Sequence, residues 1–211
     1  MDDRLVAVLN DVHFDFSFDP SDLSTLWLEA APHCMVSARR QPLRSIDRLR
    51  TAVRRGEAPR STVELLVHLL RDQGDVLVDI VRSLNAKVDE TEDGLLAGRV
   101  DGRAGALGGL RRLIVRLQRV LAPEPAALVR MLQHPPAWMG AADLQDFRAS
   151  GEEFAVVLRD LAALQERIKL LQEEIATRVN EENNRSLFIL TIVTVLVLPI
   201  NIVSGLLGMN V

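Results

Sequence analysis

Oxygen-bearing side chains recur at helical spacing inside the most apolar stretch of the chain. From Ser186 to Val211 there is no Asp, Glu, Lys or Arg. Asn184, Thr191, Thr194, Asn201, Gly205 and Gly208 nevertheless fall near one stripe, at separations of three, four or seven residues, with Leu187 and Leu198 between them. On a helix that spacing keeps side chains on one face. Amides and hydroxyls surrounded by hydrocarbon need a polar partner or water, so such a face turns toward other helices or an aqueous path. Two readings fit: oxygens facing an aqueous path, or helix packing through small and polar residues. Spacing alone leaves both open. Pro199 interrupts the same run, where it removes one backbone hydrogen bond and frees the carbonyl of Val195.

The other reactive residue types form no comparable pattern. Asp89, Glu90, Glu92 and Asp93 could attract a regulatory cation at a subunit boundary by focusing negative potential, or could simply solvate a helix end. His13, His33, His68 and His134 share no metal-ligand spacing. His33 and Cys34 are adjacent, so in a strand they point to opposite faces. No nucleophile elbow or triad-like arrangement is present. The glycines at 98, 102, 105, 108 and 109 lack the preceding strand and the Gly-Lys-Ser/Thr ending of a phosphate-binding loop. No catalytic residue is therefore assigned, and neither enzymatic activity nor a bound cofactor is expected. The net charge of −4 and the lack of a recognisable motif disfavour nucleic acid as a partner. A single cysteine, Cys34, excludes an intrachain disulfide and fits a reducing compartment for the soluble part.

The elements that must position the stripe follow from periodicity. The charge-free segment is long enough to cross a hydrocarbon core of about 30 Å, and its C-terminal place excludes a signal peptide. Upstream there is no proline from Ala141 to Pro199. Phe154, Val157, Leu161, Leu164, Ile168, Leu171 and Ile175 alternate at three and four residues, a heptad seam among charged neighbours. A stalk helix running unbroken into a bilayer is the simplest reading. Arg167, Lys169, Arg178 and Arg185 precede the membrane segment and place that side in the cytoplasm.

Nearer the N-terminus, Leu5–Leu9 reads as a strand and Asn10–Asp22 as a loop. Ser24–Glu29 and Cys34–Arg40 read as a hairpin, followed by a short helix from Ser45 to Gly56. Ser61 and Glu64 form a capping box that opens a helix to about Leu96. The glycine-rich patch is expected to break the helical pattern or to allow close helix contact. A basic helix follows over Leu110–Leu121, then a short one to Gln133. The predicted class is α+β and mostly helical. Residues 1–60 form a partial α/β portion, 61–140 a helical portion, 141–185 the stalk, 186–207 the membrane helix and 208–211 the chain end.

A charge-free helix with proline about nine residues before Gly208-Met209-Asn210 resembles the first membrane helix of the CorA divalent-cation transporters. Leu190-Thr191-Ile192-Val193 and Leu198-Pro199 sit where that family has similar residues. Val36-Ser37-Ala38-Arg39-Arg40-Gln41-Pro42-Leu43, with Leu110-Arg111-Arg112 and Leu121-Ala122-Pro123, resemble the ZntB-type zinc branch. The resemblance to that branch puts Zn²⁺ first and Mg²⁺ second as the transported ion, while Met209 departs from the Val or Ile often found there and leaves the metal open. The resemblance implies a homopentamer in the inner membrane with both termini cytoplasmic. Its path would be lined by Asn184, Leu187, Thr191, Thr194, Leu198, Asn201 and Gly205, and Gly208, Met209 and Asn210 would form the selectivity motif. It also implies a second membrane helix after Val211 and further strands before Met1, so a fragment or truncation is expected. The alternative is a membrane-anchored coiled-coil interaction protein in which the stripe is only a packing seam.

Overall fold

The computed structural model describes residues 4–97 and 102–208. Three strands form one antiparallel sheet in the order β1 (Leu5–Val12), β2 (Leu23–Ala31), β3 (Cys34–Arg39). Helices α1 (Arg44–Arg54), α2 (Thr62–Leu96), α3 (Arg103–Leu121), α4 (Pro123–Gln133) and α5 (Ala141–Gly208) follow. The chain divides into two compact units, Met1–Ile168 and Lys169–Val211, with the boundary inside α5.

Alternation along β2 sends Leu26, Leu28 and Ala30 to one face of the sheet, where they are buried. They meet Ile46 and Leu49 of α1, Val63, Leu66 and Leu70 of α2, and Phe147 of α5 in one core. This core draws on both sides of residue 60. The opposite face presents Val6, Val8, Trp27 and Val36, all exposed.

β1 is longer than its apolar run. Asn10 and Asp11, expected in a loop, continue the ladder opposite Thr25 and Ser24. Their polar side chains are employed elsewhere: Asp11 Oδ2 accepts from Ser45 N at 2.9 Å and Ser45 Oγ at 2.6 Å. The residue before α1 is Leu43, which has no capping side chain. Asp11 thus caps α1 from another element, satisfying an amide that the helix leaves open. Burial pushes its carboxyl pKa up, and the Ser45 bonds oppose that shift.

The start of α2 is local and legible. Ser61 Oγ accepts from Glu64 N at 3.0 Å, while the Glu64 carboxylate accepts from Arg60 N rather than from Ser61 N. Pro123 sits at the first turn of α4, where a missing N–H costs nothing.

The glycine patch breaks the helical pattern at its start and not along its length, since α2 ends at Leu96 and α3 begins at Arg103. Gly102 holds φ 76°, the left-handed region, and α3 then runs straight through Gly105, Gly108 and Gly109. Among the described residues they meet no close helix approach. A Cβ at Gly105 would meet nothing within 4 Å, and at Gly108 or Gly109 only the tip of Arg112. Leu107, Leu113, Ile114, Leu117 and Leu121 are fully buried on the other face, and that burial outweighs the glycines' poor helix propensity.

Within the first unit, ion pairs fix the course of α5. Arg71–Asp146 at 3.1 Å and Arg167–Asp89 at 2.7 Å tie it to α2 at two levels. Both partners advance together along the sequence, so the two helices run parallel. Phe154, Val157, Leu161, Leu164 and Ile168 are all buried, as are Leu171 and Ile175 in the second unit.

Candidate functional site

In the second unit the polar stripe lies on uninterrupted helix. α5 continues through Pro199 and ends at Gly208. Met209 and Asn210 lie outside the described residues, so the structure positions only the first residue of Gly208-Met209-Asn210. The apolar residues from Leu187 to Val203 are exposed all round, for example Leu198 at 57% and Val195 at 65%. An apolar helix with this much uncovered side chain has the length and composition of a membrane span.

Thr194, Leu198 and Asn201 line one shallow hollow of about 560 Å³, together with Val193, Val197 and Ile202. The structure thus brings three stripe residues to one depression beside the proline. Asn184, Leu187, Thr191 and Gly205 are exposed on the same helix outside it, and a Cβ at Gly205 would meet open space.

The two threonines have a defined polarity. Thr191 Oγ1 donates to the Leu187 carbonyl and Thr194 Oγ1 to the Leu190 carbonyl, each at 2.8 Å. Each hydroxyl proton is therefore committed to the helix, and the oxygen keeps its lone pairs for a further donor. Water bound to a cation turns its hydrogens outward, so a face of acceptors matches a hydrated cation better than a face of donors. Asn201 adds an amide oxygen two residues after Pro199, and the Val195 carbonyl, without the N–H that proline lacks, adds another acceptor.

The acidic cluster is arranged differently. Arg167 takes Asp89 and Glu92 together, and hydrogen bonds to Glu92 and then Asp89 hold its guanidinium pKa above the usual value. The cation these two carboxylates recruit within the chain is an arginine. Among the described residues no three His, Cys, Asp or Glu side chains gather as metal ligands. A metal at Asp89, Glu90, Glu92 and Asp93 would have to displace Arg167 or take ligands from another copy. His13 lies 4.0 Å from Asp22, and His68 lies 3.6 Å from Asp72.

One polar node was missed at the level of sequence. Glu124, in the first turn of α4, is buried, and its carboxylate accepts from Asn10 N at 2.6 Å and Gln73 Nε2 at 2.8 Å. Gln73 Nε2 also donates to the Asn10 carbonyl, and Asn10 Nδ2 to the Val120 carbonyl. Burial pushes the Glu124 pKa up to about 7, against the hydrogen bonds that favour its anion. The node joins β1, α2 and the α3–α4 corner. A glutamate between two prolines resembles an ordinary surface helix start, so nothing in the local sequence marks it as buried.

Comparison with known proteins adds the decisive observation. The model of the family described as CorA-like Mg2+ transporter protein matches residues 1–211. The chain belongs to this CorA-like family. It is 28% identical over 216 residues to the divalent cation transporter CmaX of Pseudomonas aeruginosa, covering 99% of this chain and 63% of that protein. It is 24% identical to the zinc transport protein ZntB of Yersinia enterocolitica, again over 99% and 63%. Full-length CmaX superimposes with a TM-score of 0.86 at 27% identity, over 99% of this chain and 64% of that one. The CorA magnesium transporter of Methanocaldococcus jannaschii shares the fold, with a TM-score of 0.83 at 21% identity, covering 99% and 66%. The small sheet, the helices and the long C-terminal helix are therefore a CorA-like fold. The chain spans less than two thirds of the length of CmaX and ZntB.

Proposed function

We propose that the protein passes divalent metal ions across the bacterial inner membrane through a homo-oligomer, with Zn²⁺ the first candidate ion and Mg²⁺ the second. The stripe of α5 lines the path: Asn184, Leu187, Thr191, Thr194, Leu198, Asn201 and Gly205. Gly208, Met209 and Asn210 form the selectivity motif, the subunits number five, and the N-terminal unit is cytoplasmic. The observation that carries this reading is an uncharged, fully uncovered helix whose one polar face offers acceptor oxygens, in a chain matched along its length by a divalent-cation transporter family. The path offers neither His nor Cys. Zn²⁺, which usually seeks those ligands, then travels largely hydrated, as Mg²⁺ would by its reluctance to lose water.

Reconstituted protein in vesicles, with Zn²⁺ and Mg²⁺ uptake compared under an imposed pH gradient, tests the proposal. Wild type takes up at least one of the two ions, and Asn210→Ala loses most of that uptake while staying folded and assembled. Uptake by Asn210→Ala equal to wild type reduces the motif to a helix-ending turn. No uptake of either ion by wild type supports a membrane anchor instead.

A further inference from the structure

Several arginines of the first unit pair with carboxylates. Arg4–Glu29, Arg48–Asp79, Arg71–Asp146, Arg82–Asp79 and Arg167–Asp89 all lie within about 3 Å. Helix α3 carries a run of arginines that does not. Arg112, Arg116 and Arg119 recur at four and three residues on its exposed face, and none has an ion-pair partner among the described residues. The helix itself contains no Asp or Glu. The Arg112 guanidinium lies back over bare helix, 3.7 Å from where a Cβ at Gly108 would stand.

A matching set of unsatisfied anions lies on another element of the same unit. Glu153 and Asp160 of α5 are exposed and have no partner among the described residues. They are seven residues apart, the same interval as Arg112 to Arg119. Seven helical residues advance roughly 10.5 Å, so two charges on one helix can meet two on the other.

We infer that the Arg112–Arg116–Arg119 face of α3 docks on Glu153 and Asp160 of α5 in a second copy of this chain. The inference rests on the self-assembly proposed above and names one of its contacts. Two different, complementary patches on one chain make a head-to-tail interface, the kind that closes into a ring when the rotation allows. An anionic lipid surface is the rival occupant. A helix that lies on lipid offers apolar residues beside its basic ones, but here Leu113, Ile114 and Leu117 are fully buried and face away from the arginines. Individual exposed ion pairs are weak, so the contact acts as a set and is sensitive to salt.

The test is sedimentation velocity of the detergent-solubilised protein at low and high salt, with circular dichroism confirming that each variant is folded. The triple variant R112E/R116E/R119E dissociates at protein concentrations at least roughly tenfold higher than wild type does. Adding Glu153→Arg and Asp160→Arg to that variant restores assembly, and the triple Lys variant stays close to wild type. Assembly unchanged by the triple reversal overturns the inference while leaving the oligomer intact. Assembly lost but not restored by the reciprocal reversal also overturns it. Loss of binding to phosphatidylglycerol vesicles with unchanged assembly assigns the face to lipid. A monomeric wild type refutes the self-assembly reading itself, and this contact with it.

Discussion

The two units use one spacing under opposite conditions. In the first, Phe154, Val157, Leu161, Leu164 and Ile168 alternate at three and four residues, and Leu161 is fully buried. In the second, Leu187, Thr191, Thr194, Leu198 and Asn201 alternate the same way, yet Leu198 is more than half exposed. What differs is the residues between. Around the first seam stand Glu152, Glu153, Arg159, Asp160, Glu166 and Arg167, which suit water, so one apolar stripe suffices and the unit covers it. Around the second stand Ile, Val, Leu and Phe, so the whole surface rejects water and the stripe is the polar exception. A heptad pattern therefore does not say what fills it; the intervening residues do.

The largest way to break this comparison is to put a charge in the covered seam. Leu164 is 3% exposed, so Leu164→Asp leaves an unpaired buried charge worth about 3–5 kcal/mol of destabilisation. Loss of the cooperative thermal transition in circular dichroism is the expected result. Near-native melting would show that the seam is not closed within the subunit.

A smaller effect tests the buried node of the first unit. The Glu124 pKa is raised from an ordinary 4.5 to about 7, so the folded state binds its proton more tightly than the unfolded chain. Its contribution to stability is full below about pH 4.5, falls as pH rises toward 7 and is then constant. The change amounts to at most about 3 kcal/mol. The melting temperature of wild type should fall across that window relative to Glu124→Gln, which has no proton to lose there. Parallel pH profiles for the two would place the ionised carboxylate in contact with water.

The smallest effect concerns the Arg167 clamp. Its side chain is 40% exposed, so Arg167→Ala should cost about 1 kcal/mol or less, read as a slight drop in melting temperature that high salt abolishes. A drop as large as that for Leu164→Asp would make the clamp a principal tie between α2 and α5.

Legibility in the sequence tracked how local each cause is. The Ser61–Glu64 cap, the proline start of α4 and the proline-free span of α5 act within a few residues, and each element stands where periodicity put it. Asn10 and Asp11 read as loop because their strand role depends on Thr25, Ser45 and Glu124, all far along the chain. The α3 glycines read as a break because the burial of Leu107 that overrides them is tertiary. At the site, the stripe and its proline were legible from spacing. The commitment of both threonine protons to backbone carbonyls, and of Asp89 and Glu92 to Arg167, was not, since neither leaves a mark in composition.

The central claim is that ions travel along the stripe face of α5. Asn201 faces the hollow beside Pro199, whereas Val203, two residues on, points about 200° around the helix and so away from it. Each is replaced by Cys in protein whose Cys34 is Ser, and metal uptake is measured before and after a small water-soluble thiol reagent. Reagent should block uptake through Asn201→Cys and leave Val203→Cys conducting. Equal block, or block of Val203→Cys alone, would contradict the account.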